Sequence, residues 1–252
     1  MRVLHDRSFI DDPTRLLRAV RYEVRLDFRM DEPTEELARE AARKDALATV
    51  SGARIRDELL DLLAEHAAPR GVARLVELGL LESLGGGLNG DPELMASAKL
   101  GAGETGADAA LTALAALLGE EPDAEWVESL ALRADERDAV LRAARKAPQL
   151  ARTVRDDLPD SAIHALLHSE HPETLALTLA HGAPGGPILR YVADLQGVRL
   201  EITGDDLIAA GVPASRALGR ALEETLRKKL DGELAGRDDE LRYALEVARS
   251  IR

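Results

Sequence analysis

The sequence predicts an all-α protein, and three observations carry that expectation. Apolar residues recur at three- and four-residue spacing along most of the 252-residue chain, the period of an amphipathic helix. Alanine and leucine, both strong helix formers, dominate it. Alternating apolar and polar runs are scarce, and only Val198–Ile202 could pass as a short strand.

The helical stretches fall at 35–47, 52–65, 69–84, 108–119, 134–154, 159–169, 173–181, 187–196, 215–230 and 238–251. Start signals support them: Ser51 precedes the second, and Asp91-Pro92 and Pro122-Asp123 open two shorter helices. Two glycine-rich stretches, Gly85–Gly90 and Gly101–Gly106, flank one short helix and read as breaks between helical units. A third break, His181–Pro187, sets off a C-terminal unit.

Composition narrows the classes. With no cysteine, disulfide frameworks, cysteine-zinc sites and thiol catalysis are excluded. A hydrophobic share of 45% and a charged share of 31% suit a folded protein. No apolar run approaches the roughly 18 residues that span a bilayer, so no membrane role is expected. The start, MRVLHDRSF, has no apolar signal core, which makes a cytoplasmic location the expectation. A formal net charge of −13 argues against a broad basic surface that coats nucleic acid. The first 29 residues differ, with seven Arg against five acids and three of the six aromatics, Phe9, Tyr22 and Phe28.

Several motifs have plain structural readings. Gly85, Gly87 and Gly90, like Gly101, Gly103 and Gly106, satisfy G-x-G-x-x-G. A dinucleotide fingerprint needs a strand before the glycines, and here a helix precedes each set, so both read as linkers. His164, His168 and His171 could share a helical face, but Pro172 disfavours helix at His171 and a capping or solvated role is expected. His5-Asp6 resembles half of a metal-phosphohydrolase pair without its distant partners. The acid pairs Asp156-Asp157 and Asp238-Asp239 read as helix-start residues that complement the dipole. No metal site and no catalytic residue is therefore assigned.

The segment from Asp11 to Arg29 stands apart. Asp12 is a suitable N-cap with Pro13 at the first helical position. At about 100° per residue, Arg18, Arg21, Arg25 and Arg29 fall within roughly an 80° arc beside Arg15. Leu16, Leu17, Val20, Val24 and Phe28 take the opposite side. An acid one turn before an Arg offers fixed acceptors and donors that can read a base edge, and further Arg can hold phosphates. A salt-bridged surface helix is the plainer alternative, in a chain that uses 28 Arg and only five Lys.

These residues resemble a known family. Asp11-Asp12-Pro13-Thr14-Arg15-Leu16-Leu17-Arg18-Ala19-Val20-Arg21 is similar to the E-D-x-x-R-x-x-R-x-x-R motif of class II tRNA nucleotidyltransferases and bacterial poly(A) polymerases. Val50–Leu59 resembles their neck motif, and Ile202–Leu207 with Gly211 and Gly219 resembles their tail motif, in the same order. The resemblance implies a neck at 1–84, a helical body at 107–182 and a tail at 183–252. It implies nucleotide binding by Asp12, Arg15, Arg18 and Arg21, and neck bracing by Asp11, Arg54 and Glu58. It also implies tRNA as partner and CTP and ATP as substrates for 3′-end addition of CCA or A. Mg²⁺ would enter only through a catalytic head, whose Gly-Ser turn, D-x-D pair and R-R-D-F segment find no match here. A headless neck, body and tail that is inactive alone is the expectation, with a separately encoded head as possible partner. The rival expectation is a non-catalytic helical module that binds RNA or protein. Two positions depart from the family pattern: Asp11 replaces its Glu, and Ser215-Arg216 replaces its Gly-Pro step.

Overall fold

Aspartates set where several of the helices begin. In this computed structural model, which describes residues 1–250, the Asp108 carboxylate accepts from the amides of Ala110 and Leu111 at 2.8 and 3.0 Å. Asp91 does the same for Glu93 and Leu94, and Asp123 for Trp126. Each satisfies amide groups that a helix N-terminus leaves without partners. Ser51 stands at the cap position ahead of Gly52, but its hydroxyl makes no capping bond. Among the described residues the regular structure is helical throughout, and Val198–Ile202 is an irregular lead into a helix rather than a strand.

The chain divides into two units, Met1–Thr153 with Glu170–Ala183, and Val154–Ser169 with the segment from Pro184 onward. The first holds α1 (Ser8–Asp11), α2 (Thr14–Leu26), α3 (Glu32–Arg43), a 3₁₀ turn at Ala46–Thr49, α4 (Gly52–Ala64), α5 (Ala68–Glu77) and α6 (Leu80–Ser83). It continues through α7 (Pro92–Thr105), α8 (Ala109–Leu118), α9 (Ala124–Ser129) and α10 (Ala134–Thr153). The second unit contributes α11 (Asp160–Leu167), the first takes α12 (Pro172–Ala180), and the rest belongs to the second. That remainder is α13 (Gly185–Arg190) with a π turn at Tyr191–Leu195, α14 (Gly204–Ala209), α15 (Arg216–Leu230) and α16 (Gly236–Ser250).

The core of the first unit is built on α8. Every residue from Leu111 to Leu118 is buried, as expected of a helix that is apolar all round. Thr112 fits there because its hydroxyl donates to the Asp108 carbonyl at 2.7 Å. Within the glycine set at 101–106 only Gly106 makes a break, as the left-handed cap that ends α7; the helix runs straight through Gly101 and Gly103. Gly101 is there for packing, since a Cβ would lie 2.5 Å from the Ala176 carbonyl oxygen of α12. The glycines at 85–87 do form a turn, with left-handed φ angles of 80°, 69° and 61°. Gly86 lies against the Trp126 indole, whose Nε1 donates to the Leu84 carbonyl at 2.9 Å.

In the second unit α15 pairs with α16, and Ile202, Leu207, Ala221, Ala244 and Ala248 form a small core. A capping box opens α14: Asp206 accepts from the Thr203 amide at 2.7 Å. Asp238-Asp239 lie in the first turn of α16, as expected, whereas Asp156-Asp157 occupy a turn ahead of Asp160, where α11 begins.

Candidate nucleotide and RNA site

The candidate site is built on α2 and answered by α4. Helix α2 buries Leu16, Leu17, Val20 and Val24, which fixes its roll and sends its Arg row outward and toward α4. It ends at Leu26, where Asp27 takes a left-handed conformation (φ 54°). This corrects the sequence expectation in two places. Arg29 is not on the helical row, and Phe28 is 55% exposed rather than on the buried side, because the left-handed cap turns the chain before either is reached.

Asp12 is the most constrained member. The Thr14 hydroxyl and the Arg54 guanidinium both donate to its Oδ1, at 2.8 and 2.9 Å. Partial burial pushes its carboxyl up, but these hydrogen bonds outweigh that and hold it below the usual carboxylate range. Its other oxygen lies 3.9 Å from Arg15 Nε. Arg15 itself donates to the Ser8 hydroxyl at 3.0 Å. Acid and guanidinium are thus held side by side, each by a partner of its own. Asp11 closes α1 and accepts from Arg7 Nε at 3.3 Å, away from that pair.

The other Arg of the row engage α4. Glu58 lies 3.8 Å from Arg18, Arg21 donates to Asp61 and to Glu65 (2.9 Å), and Arg25 lies 3.8 Å from Glu65. Burial pushes the Glu58 carboxyl up, with Arg18 opposing. Arg18 also donates to the Tyr22 hydroxyl at 3.4 Å. The sequence reading missed Asp61 and Glu65, although Arg54, Glu58, Asp61 and Glu65 recur at helical spacing and complement the α2 row. Arg18 remains half exposed while Arg21 is largely covered, so of the two Arg18 is the freer to meet a ligand.

A second cluster behind α2 was also not read from sequence. Arg74 of α5 is 5% exposed and Glu23 of α2 is 3% exposed. They pair at 2.9 Å, and Arg74 also reaches Glu35 of α3 and Glu77. Glu23 Oε1 additionally accepts from the Met30 amide at 2.6 Å. Burial alone would lower the Arg74 pKa, but its bonds to the three carboxylates raise it. Hydrogen bonds from Arg74 and Arg39 hold the Glu35 carboxyl at about 2. The cluster ties three helices together beneath the Arg row.

Between Arg15, Arg18, Tyr22, Phe9 and the residues from Met1 to His5 lies an open hollow of about 440 Å³. Three guanidinium groups, those of Arg2, Arg15 and Arg18, and a phenol border it. The histidine trio does not form a ligand set. His164 and His168 stack on each other with ring centroids 5.2 Å apart, while His171 stands at the cap position of α12 without a side-chain capping bond, its ring bonding Asp138 at 3.1 Å. Among the described residues no group of three His, Asp or Glu side chains could hold a metal ion, so the Mg²⁺ that the resemblance implies finds no fitting donor set in them. No helix among them is long and apolar enough to cross a membrane.

The chain is similar to known proteins along its length. A family model described as the probable RNA and SrmB-binding site of polymerase A matches residues 27–89. An A-adding tRNA nucleotidyltransferase from Geobacter sulfurreducens is 31% identical over 99% of this chain. The Thermotoga maritima CCA-adding enzyme complexed with tRNA superposes with a TM-score of 0.80 at 28% identity, over 99% of this chain and 64% of its own. A CCA-adding enzyme in complex with CTP gives 0.84 at 29% identity, over 100% of this chain and 63% of its own. Fold and comparisons point, first, to a class: over nearly its whole length the chain is similar to part of tRNA nucleotidyltransferases and CCA-adding enzymes. Within it, the findings support the class II tRNA nucleotidyltransferase family. The chain spans 31% of the length of the Geobacter relative.

Proposed function

We propose that this chain is the tRNA-binding and nucleotide-selecting portion of a CCA-adding or A-adding nucleotidyltransferase. The observation that carries the proposal is the Asp12–Arg15 pair, an acceptor and a donor fixed side by side, with Arg15 lining a hollow that Arg18 also lines. Such a pair can meet the Watson–Crick edge of one incoming base and refuse another by leaving a buried polar group without a partner. Arg18 would face the nucleotide phosphates, and Arg21 would hold the row in register against Asp61 and Glu65. Arg54 orients Asp12, and Glu58 braces Arg18; Asp11 keeps only its local contact with Arg7. In this reading residues 1–84 act as neck, 107–182 as body and 183–252 as tail.

Phosphoryl transfer in such enzymes draws on carboxylate-held Mg²⁺, and that chemistry is assigned to a head that these residues do not supply. On this reading the chain binds but does not transfer until a head is provided, either in the same polypeptide or by a partner.

Equilibrium binding of CTP, ATP, UTP and GTP to the wild type and to Arg15→Ala tests the assignment. CTP and ATP should bind more tightly than UTP and GTP, and the preference should disappear in the variant. Equal binding of all four by the wild type, or an unchanged preference in the variant, contradicts it. A helical module that serves only protein interactions would bind none of them.

A further inference from the structure

Three hollows on the first unit share residues in sequence. The Arg15–Arg18 hollow shares Tyr22 with an apolar hollow of about 380 Å³ that is also lined by Leu26 and Phe28. That apolar hollow shares Phe28 with a third, of about 220 Å³, lined by Arg29, Arg70 and Arg74 and also by Glu23 and Glu77. The order along the surface is therefore an Arg-lined hollow, Tyr22, Phe28, and a second Arg-lined hollow. Tyr22 is 37% exposed, Leu26 52% and Phe28 55%, in a chain with only six aromatics. The outer cations keep donors for a ligand: Arg29 reaches Glu77 only at 3.9 Å, and Arg70 uses one nitrogen on Asp27 at 2.8 Å.

We infer that Tyr22 and Phe28 form a stacking platform for unpaired bases of an RNA 3′ end, with Arg29 and Arg70 holding its phosphates. Every base offers a π face, so aromatic stacking accepts unpaired RNA without reading its sequence, while flanking guanidinium groups supply the charge that the phosphates need. A protein surface could also cover exposed apolar side chains. It would not by itself require cations at both ends of the strip, and in a chain of net charge −13 those cations favour a polyanion.

The inference rests on the nucleotide-binding reading and extends it. A base on Tyr22 would adjoin a nucleotide held by Arg15 and Arg18, which is where the growing end must lie for addition. The platform thus sets the register of the RNA end against the incoming nucleotide, and Phe28 acts by contact with RNA rather than by supporting the fold.

The test uses an RNA hairpin with a four-nucleotide 3′ overhang ending in the fluorescent base 2-aminopurine, and the same hairpin with a blunt end. The wild type should bind the overhang on the order of tenfold more tightly than the blunt form and quench the fluorophore. Phe28→Ala should lose both effects and Phe28→Trp should keep them. Arg29→Glu should weaken binding of the overhang most at low salt. Unaltered affinity and quenching in Phe28→Ala, or equal binding of overhang and blunt hairpins, overturns the platform. If CTP and ATP still bind in an Arg15-dependent way in that case, the nucleotide reading stands and only the platform falls. If the wild type binds neither nucleotide nor hairpin, both fall.

Discussion

Replacing Arg74 by Ala should unfold the first unit more readily than any surface substitution. The change leaves Glu23 at 3% exposure with the Met30 amide as its remaining donor. An ionised carboxylate kept from water without its cation is costly, and breaking a buried pair from one side typically loses about 3–5 kcal/mol. For a unit of this size that corresponds to a melting midpoint lower by roughly 6–20 °C. Trp126, the only tryptophan, lies in the first unit, so its fluorescence during urea denaturation reports that unit directly. Removing both charges, with Glu23→Ala added to Arg74→Ala, should recover more than half of the loss because no charge then stays buried. A loss of under about 1 kcal/mol in Arg74→Ala, the size of an exposed pair, would refute the argument. So would a double variant less stable than the single.

Acid should weaken the same cluster in a defined window. Glu35 sits at about 2 instead of its ordinary 4.5, so its contribution is complete above about pH 4.5 and is lost as pH falls through 2. The unfolding free energy of Glu35→Gln should therefore fall less steeply between pH 4.5 and 2 than that of the wild type, and identical slopes would contradict the assignment. At the α7–α12 crossing, Gly101→Ala should destabilise by about 1–3 kcal/mol, because its Cβ would meet backbone rather than a movable side chain. Urea denaturation measures this, and a neutral result would mean that the two helices separate freely. Asp206→Ala should cost about 1 kcal/mol by removing the capping box, seen as reduced amide-exchange protection at the start of α14; unchanged protection would sink it.

Much of this was legible in the sequence because helical periodicity is a local signal. The stretches at 52–65, 108–119, 134–154 and 215–230 end within a residue or so of the observed helices, since caps such as Asp108 act on neighbouring amides. Asp12 and Arg15 could be singled out for the same reason, being one turn apart. Tertiary partners were harder to read. Nothing local marks Arg74 as buried, and its three carboxylates come from residues 23, 35 and 77. The fate of Arg21 depends on Asp61 and Glu65, about 40 residues away. Arg29 and Phe28 were misplaced because extending a helix by rotation alone cannot foresee the left-handed turn at Asp27. Gly101 has the look of a linker in sequence, and only the approach of Ala176 explains it.

The most direct test of the central claim is tRNA binding as a function of salt, using tRNA that lacks its terminal CCA. A chain that grips RNA through several Arg–phosphate contacts should bind it at low salt and lose on the order of 10- to 100-fold in affinity between 50 and 200 mM salt. Absence of binding at 50 mM salt, or an affinity indifferent to salt, would contradict the account and leave protein interaction as the role of this helical surface.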